Sequence, residues 1–496
     1  MVNEIPTLGL SNIEKQALYE APERVLQIGD GNFIRGFVDW MVDELNYKTG
    51  FDGKIVSVQA TPRGNRVPVL NEQDGLFTLL VRGIKEGERI EKAQLIQSIQ
   101  RAVNPYTDWQ ELLKIAESPE MEFLISNTTE AGLRYKKESY SPDKSPVSFP
   151  GKVVALLYHR YVYFKGNMSK GWILIPCELI EQNGEALKNI CLKIIKDWEL
   201  PNDFAQWMLD ACTFCNTLVD RIVPGYPADE AEQLWKNFGY TDRLLTVAEP
   251  YHLFVIEGPD FLEKKLPFKE AGLNVQFDYI AQFRENKIKL LNAPHTIMAA
   301  IGILKGIHSV REAMDDELLY SFIKDTLLKE ICTTLPTNEE ERAYAYIEEV
   351  FDRFRNPYLH HRLTDISLNS FSKFSARVWP SLDSYRKKTG KNPRCLVFSF
   401  AALLVFFEGV VKDNGYAVKD DARIVGNFEK FYRDYKGTKE ELVQFIKELI
   451  CEEYKQTLEE LGDLPEEIAD DYISIQRTGI QLALQRVESQ VTYESN

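Results

Sequence analysis

Residues 25–37 read VLQIGDGNFIRGF, and this stretch decides the fold. A strand-like apolar run, RVLQI at 24–28, stops at Gly29, and an amphipathic helical stretch over 34–46 follows almost at once. Gly29 permits the tight strand-to-helix turn, and Gly31 lets the backbone come close to a pyrophosphate. The helix N-terminus then offers unpaired N–H groups to that anion. The third glycine of a GxGxxG pattern is absent, because Ile34 holds its place. The spacing predicts a dinucleotide-binding strand–turn–helix at the head of a parallel sheet.

Working outward, further strand-like runs are KIVSVQ at 54–59, LFTLLVR at 76–82, EFLIS at 122–126 and WILIP at 172–176. Helical stretches such as 186–198 separate many of them, and that alternation predicts a parallel sheet covered on both faces. LFTLLVR lies between the turn-like NEQDG and GIKEGE, so it reads as part of a hairpin insertion. Near residue 280 the period changes. Helical spacing of apolar residues dominates 312–328, 338–351, 394–407, 439–454 and 465–487. The fold class expected is α/β: an N-terminal Rossmann-like domain over 1–278, followed by a mostly α-helical C-terminal domain over 279–496. No internal repeat or low-complexity tract interrupts either.

With 496 residues, 44% of them hydrophobic, the chain is long enough to bury the cores of two domains. Its formal net charge of −16 repels polyanions, so neither nucleic acid nor an anionic membrane is expected as a partner. The N-terminal MVNEIPTLGLSNIEKQ carries acidic residues and no long apolar core, unlike a secretory signal. The longest apolar stretch, CLVFSFAALLVFF at 395–407, is too short to span a bilayer and reads as a buried helix. Seven scattered cysteines fit reduced thiols and a cytoplasmic location. Cys212 and Cys215 form one CxxC, but a closed zinc site needs four ligands, so both read as ordinary half-buried thiols and no metal is expected.

The second strand ends in Gln59, followed by Ala60, Thr61, Pro62 and Arg63, where an acidic residue would grip an adenine ribose. Gln59 or Thr61 suits the ribose hydroxyls of NAD, while Arg63 leaves NADP open. The loop SNTTEAG at 126–132 also leaves the carboxyl end of a strand, so Asn127, Thr128 and Glu130 are candidates to line the cofactor crevice.

The chemistry concentrates in KIKLLNAPHTIMAA, which starts at Lys287. In one continuous α-helix, about 100° per residue puts Asn292 about 140° and His295 about 80° round from Lys287. Pro294 either kinks that helix or sits in the first turn of a helix capped by Asn292. In both cases the residues fall near the junction of the two expected domains, where ligand sites commonly form. A lysine withdrawn from water has its pKa lowered and exchanges a proton with a reacting oxygen. An amide donor beside it stabilises developing alkoxide charge, and a histidine orients a substrate hydroxyl.

These motifs resemble the polyol-specific long-chain dehydrogenase/reductase family, typified by mannitol dehydrogenases, over nearly the whole chain. Gly29, Asp30, Gly31, Asn32, Phe33, Ile34 and Arg35 look like that family's GxGxFxR cofactor turn. With the flanking Val25, Leu26, Gln27, Ile28 and Gly36, and with Gln59, Asn127 and Thr128, they form the implied NAD-binding set. Lys287, Asn292 and His295 have the family's catalytic spacing. The segment CELIEQNG at 177–184 is similar to the one supplying a second active-site asparagine, Asn183. Val219, Asp220, Arg221 and Ile222 look like the family's VDRI segment, which implies Asp220 near the nicotinamide.

The stretches QIGDGNFIRGFVDW, SNTTEAG, IPCELIEQNG, TLVDRIVPGYP and FRNPYLHH resemble the hexuronate branch of the family. That resemblance implies metal-independent, reversible NADH-dependent reduction of tagaturonate to altronate in hexuronate breakdown. Lys287 is the implied general acid/base, Asn183 and Asn292 the donor pair at the reacting oxygen, and His295 the partner of a neighbouring hydroxyl. Two positions depart from the family pattern. Leu179 stands where many mannitol enzymes have the asparagine of CDN, which points away from mannitol, and Pro294 replaces a small residue. A sugar-acid substrate also needs a partner for its carboxylate, and Arg355, His361 and Lys373 are candidates in the helical half. Related activities, fructuronate reductase or mannitol and other polyol dehydrogenases, remain alternatives. So does a non-catalytic NAD-binding regulator, against which the intact trio argues.

Overall fold

The computed structural model describes residues 5–10, 19–336, 340–411 and 419–494. The chain forms two compact units, one of Met1–Arg82 with Arg89–Phe283 and one of Gly83–Glu88 with Arg284–Asn496.

The first unit is built on strands. In chain order the described strands are β1 (Glu23–Ile28), β2 (Lys54–Val58), β3 (Phe77–Lys85), β4 (Glu88–Ile96), β5 (Ile99–Val103) and β6 (Phe123–Ser126). There follow β7 (Ile173–Pro176), β8 (Thr213–Phe214), β9 (Asn216–Asp220), β10 (Thr246–Ala248), β11 (Leu253–Glu257) and β12 (Val275–Gln276). Six of them make one parallel sheet in the order β5-β2-β1-β6-β7-β8. The chain winds outward from β1 and then returns to start again at β6. That reversal opens a crevice at the carboxyl ends of β1 and β6, where doubly wound sheets bind ligands. The register, Val25 opposite Phe123 through Ile28 opposite Ser126, sets Gly29 beside Asn127.

Because side chains alternate along a strand, a continuous apolar run serves both faces of a covered sheet. Val25, Ile55, Phe123 and Ile125 pack with Phe37 and Met41 of the glycine-turn helix. Leu26, Ile28, Val56, Val58 and Leu124 pack on the other face, against Val153 and Leu157 of helix Phe149–Tyr163 and Leu187 and Cys191 of helix Asn183–Asp197. The run at 76–82 enters β3, which lies between β4 and β10 in a small second sheet, as the hairpin reading expects; β12, β11 and β9 make a third.

The second unit is helical. Helix Arg394–Val411 lies at its core, and every side chain over 395–407 is buried. The Glu330 carboxylate accepts the Cys395 and Leu396 N–H groups at 2.6 and 2.9 Å, capping the start of this helix where water cannot. Arg394 forks onto Asp471 at 2.5 and 2.6 Å, joining it to helix Leu464–Thr478.

Two helical stretches expected to be single are broken. Over 312–328 the chain makes Val310–Asp315 and Glu317–Asp325, separated at Asp316, whose carboxylate caps the second helix through Leu319 N–H. Over 465–487 it makes Leu464–Thr478 and Ile480–Glu494, separated at Gly479 with φ 80°. A one-residue break barely disturbs apolar spacing, so periodicity passes over it. The stretch expected from 338 emerges as helix Glu340–Phe354; residues 338 and 339 lie outside the described residues.

Among the described residues no helix is long and apolar enough to cross a membrane. Cys212 and Cys215 are fully buried rather than half-buried, and burial pushes both thiols up to about 12, which keeps them protonated.

Candidate active site

The glycine turn of the first unit is shaped for a ligand. Gly29 has φ +122°, and a Cβ there would stand 2.5 Å from the Asn127 carbonyl oxygen, so only glycine fits. Gly31 is extended, a Cβ on it would meet nothing within 4 Å, and no side chain caps the helix that starts at Asn32. Its first N–H groups are therefore left without a side-chain cap, as a pyrophosphate cradle requires. Asp30 Oδ2 is buried without a hydrogen-bond partner among the described residues; burial raises this carboxyl above its ordinary range, against the pull of Arg66 and Arg35.

The rest of the motif braces the turn. Arg35, 2% exposed, donates to the Asp30 carbonyl at 2.6 Å, to Asn32 Oδ1 at 2.8 Å and to Thr246 Oγ1. Gln27 donates to the Gly29 carbonyl at 3.1 Å. Val25, Leu26, Ile28 and Ile34 are core residues, and Phe33 stacks on Phe37. A Cβ on Gly36 would lie 2.9 Å from Val223 Cγ1, and Arg221 donates to the Gly36 carbonyl at 2.7 Å. The close packing a third glycine provides thus falls to Gly36, inside a π turn over Arg35–Asp39.

The neighbouring loops are tied to one another. Glu178, which the sequence reading did not single out, accepts Thr128 N–H at 2.8 Å, Thr128 Oγ1 at 2.9 Å and Ser126 Oγ at 3.0 Å. Asn127 Nδ2 donates to the Cys177 carbonyl at 3.1 Å. Together these contacts bind the loop after β6 to the loop after β7. Gln59 folds onto its own loop, donating to the Thr61 carbonyl at 2.8 Å, while Arg63 and Glu130 are exposed. Asp220 is buried at the end of β9.

Asn183 lies elsewhere in its chemistry than expected. Its carboxamide donates to the Pro176 and Glu178 carbonyls at 2.9 and 3.0 Å and to Thr217 Oγ1 at 2.9 Å. Its oxygen accepts Gly184 and Thr217 N–H groups at 2.9 and 2.8 Å. With both donors engaged and 1% of the residue exposed, this side chain is a clamp between β7, β9 and helix Asn183–Asp197, not an idle donor for a reacting oxygen.

The lysine segment is helical throughout, as Ile280–Asn286, a π turn over Lys287–Asn292 and helix Ala293–Leu304. Ala293 N–H closes the π turn onto the Ile288 carbonyl. Pro294 lies in the first turn of helix Ala293–Leu304, as the second of the two readings expects, but Asn292 before it is helical and its side chain caps nothing. The widened turn ahead of Pro294 relieves the clash a proline ring makes with the preceding turn. One extra residue in a turn sets back everything beyond it by about 100°, so Asn292 moves to about 40° and His295 to about 20° from Lys287. The three then share one face. Lys287 is half-buried, and Lys289 beside it pairs with Glu285 at 2.7 Å.

The His295 ring packs 4.2 Å from Phe354 and 6.0 Å from His361, and its Nε2 is sealed without a partner. Burial, reinforced by the charges of His361, Arg353, Arg377 and Lys373, pushes it down to about 3, so the imidazole is neutral. Of the three candidates for a substrate carboxylate, His361 and Lys373 are thus brought to His295. Arg355 is not: its guanidinium lies over the Tyr320 ring at 4.7 Å. The sequence reading missed Arg353 and Arg377. The helical spacing of Lys373 and Arg377 was the available signal, because residues four apart share a helix face.

Residues 23–270 match the mannitol dehydrogenase Rossmann domain, and residues 279–476 match the mannitol dehydrogenase C-terminal domain. The chain belongs to the mannitol dehydrogenase family. It is an oxidoreductase acting on CH–OH groups. The altronate oxidoreductase of Halalkalibacterium halodurans is 45% identical over 441 residues, covering 87% of this chain and 86% of that protein. That of Bacillus subtilis is 40% identical over 469 residues, covering 94% and 95%. In fold the chain is similar to substrate-free D-sorbitol dehydrogenase, with a TM-score of 0.77 at 21% identity, over 94% of this chain and 95% of that one. It is also similar to the Pseudomonas fluorescens mannitol 2-dehydrogenase ternary complex with NAD and D-mannitol, with a TM-score of 0.60 at 21% identity, over 94% of each chain. In this mannitol dehydrogenase family member the glycine turn falls in the Rossmann-domain match, and Lys287, Asn292 and His295 fall in the C-terminal one.

Proposed function

We propose that this enzyme interconverts D-tagaturonate and D-altronate with NAD, in cytoplasmic hexuronate breakdown, and that Lys287 is its general acid/base. The observation that carries the mechanism is the π turn over Lys287–Asn292, whose phase would bring Lys287, Asn292 and His295 toward one helix face. The substrate class is supported by two altronate oxidoreductases, 45% and 40% identical over most of the chain.

Residues 29–32 would hold the cofactor by its pyrophosphate, since the uncapped helix start and the space over Gly31 suit that group. NAD, when bound, accepts the hydride in oxidation and NADH returns it in reduction. Lys287 takes the proton of the reacting hydroxyl in oxidation and gives it back in reduction. Asn292, whose carboxamide has no hydrogen bond among the described residues, donates to the reacting oxygen as negative charge develops there. Neutral His295 hydrogen-bonds a neighbouring hydroxyl through Nδ1, since its Nε2 is sealed. Asn183 supports the site from the scaffold. No step is assigned to a metal; among the described residues no group of three or more His, Cys, Asp or Glu is placed to hold one.

The test is the initial rate with D-altronate, D-mannonate and D-mannitol, each with NAD and with NADP. Altronate with NAD should be fastest. A faster rate with mannitol or mannonate overturns the substrate assignment, a faster rate with NADP overturns the cofactor assignment, and loss of activity on chelation overturns the metal-free mechanism.

A further inference from the structure

Beyond the trio, the second unit gathers positive charge against His295. Arg353 lies near the end of helix Glu340–Phe354, His361 follows in the next loop, and Lys373 and Arg377 lie one turn apart on helix Ser370–Arg377. Helix Ser370–Arg377 packs against both the π turn and helix Ala293–Leu304, so this charge is held against the helix that carries His295. In a chain of net charge −16, such a concentration of cations runs against the average composition.

The members differ in how they are satisfied. Arg353 is buried, with Glu349 four residues before it in its field. Lys373 Nζ donates to the Ile366 carbonyl at 2.8 Å and feels Asp420, which accepts from Phe371 N–H and Ser372 Oγ. Arg377 is half-buried, yet makes no hydrogen bond or ion pair among the described residues, and burial lowers its guanidinium below the ordinary value. The His361 ring has no side-chain hydrogen-bond partner among the described residues either. Withdrawing a guanidinium from water without a counter-charge is unfavourable, and the planar fork of arginine matches a carboxylate with two parallel hydrogen bonds.

A ketohexuronate carries its carbonyl and its carboxylate toward opposite ends of the carbon chain. With the reacting carbon at Lys287 and a neighbouring hydroxyl at His295, the carboxylate extends past His295 toward these cations. We propose that Arg377, one of the cations gathered around His295 with His361 and Arg353, binds the substrate carboxylate and selects sugar acids over neutral polyols. This assignment rests on the altronate reading above. It moves carboxylate recognition away from Arg355, which is engaged with Tyr320.

The experiment compares D-altronate with altritol, its neutral counterpart, in the purified full-length enzyme with NAD. Wild type, R377M, R377Q and R355M are assayed, with NADH affinity and far-UV circular dichroism measured on each. In R377M the KM for altronate should rise about 100-fold with kcat little changed. The preference for altronate over altritol should fall by a similar factor, and R377Q should follow the same direction. R355M should keep the wild-type preference. If R377M does not fold, R377Q decides the matter, and a wild-type altronate KM there overturns the assignment. A wild-type enzyme that favours altritol defeats the altronate reading and the inference with it. A wild-type preference for altronate that persists in R377M and R377Q defeats the inference alone.

Discussion

Lys287 and Asn292 stand at the two ends of one π turn, five residues apart, and the Ala293 N–H closes that turn onto the Ile288 carbonyl. In an ordinary α-helix the same pair diverges by about 140°. The wider turn brings the amine and the carboxamide to one face and carries His295 with them. Single π turns of this kind cost hydrogen-bond geometry and recur at functional sites.

Inserting one alanine between Ile288 and Lys289 should rotate Lys287 about 100° away from Asn292 and His295, whereas deleting Ile288 should convert the π turn to α geometry and keep the three in phase. Helix content should survive and NADH affinity should change little, because the glycine turn belongs to the first unit. Turnover of the insertion variant should fall to the level of a Lys287→Ala enzyme. Wild-type kcat in the insertion variant would show that the phase of the turn has no part in the chemistry.

Lys287→Ala should lower turnover roughly 10³–10⁴-fold, the upper range for removing a general acid/base. Asn292→Ala should cost about 10²–10³-fold, as for loss of one donor to a developing oxyanion. Stopped-flow single-turnover rates, with NADH binding followed by fluorescence, separate chemistry from cofactor affinity. Unchanged turnover removes the substituted residue from the mechanism.

Gly29→Ala should abolish measurable NADH binding. The new methyl group would meet the Asn127 carbonyl at 2.5 Å, and φ +122° strains any residue with a Cβ. The strain should also lower stability by about 1–3 kcal/mol, read from urea midpoints. Retained NADH affinity would argue against this turn as the cofactor cradle.

Asn183→Ala should act on stability before chemistry. It leaves the Thr217 N–H without its buried acceptor and removes the three hydrogen bonds the carboxamide donates, at a cost of about 2–4 kcal/mol. The melting temperature should drop while kcat, measured well below the transition, falls less than in Asn292→Ala. A larger kcat loss in Asn183→Ala with unchanged melting would restore Asn183 as a direct donor.

His295 sets a direction for pH dependence. Its pKa falls from 6.5 to about 3 on folding, by burial and the surrounding cations. Between those values the unfolded chain binds a proton that the folded chain refuses, so stability falls as pH falls through that window. One such proton gives a slope of about 1.4 kcal/mol per pH unit. His295→Asn should therefore flatten the acid side of the stability curve between pH 6.5 and 4, and NMR of the wild type should show no titration of this imidazole near pH 6.5.

The glycine turn was legible because its constraints are local. A strand ending in Gly29-Asp30-Gly31 needs positive φ and backbone access, and both are properties of residue type. The sheet strands and the buried helix over 395–407 were legible for the same reason, since apolar spacing reports which faces leave water. Breaks at Asp316 and Gly479 were not, because one residue out of period barely alters that spacing.

What the sequence determined by itself, then, was the strand–helix alternation, the helical second half and the residue types able to do the chemistry. Tertiary structure decided how they are deployed. It built a π turn ahead of Pro294, engaged Asn183 with the Thr217 backbone, turned Arg355 onto Tyr320 and set Arg377 in the field of His295 without a hydrogen bond or ion pair among the described residues. Each of these depends on neighbours distant in the chain or on helix phase, and a side chain's partners are fixed only when packing brings those neighbours together.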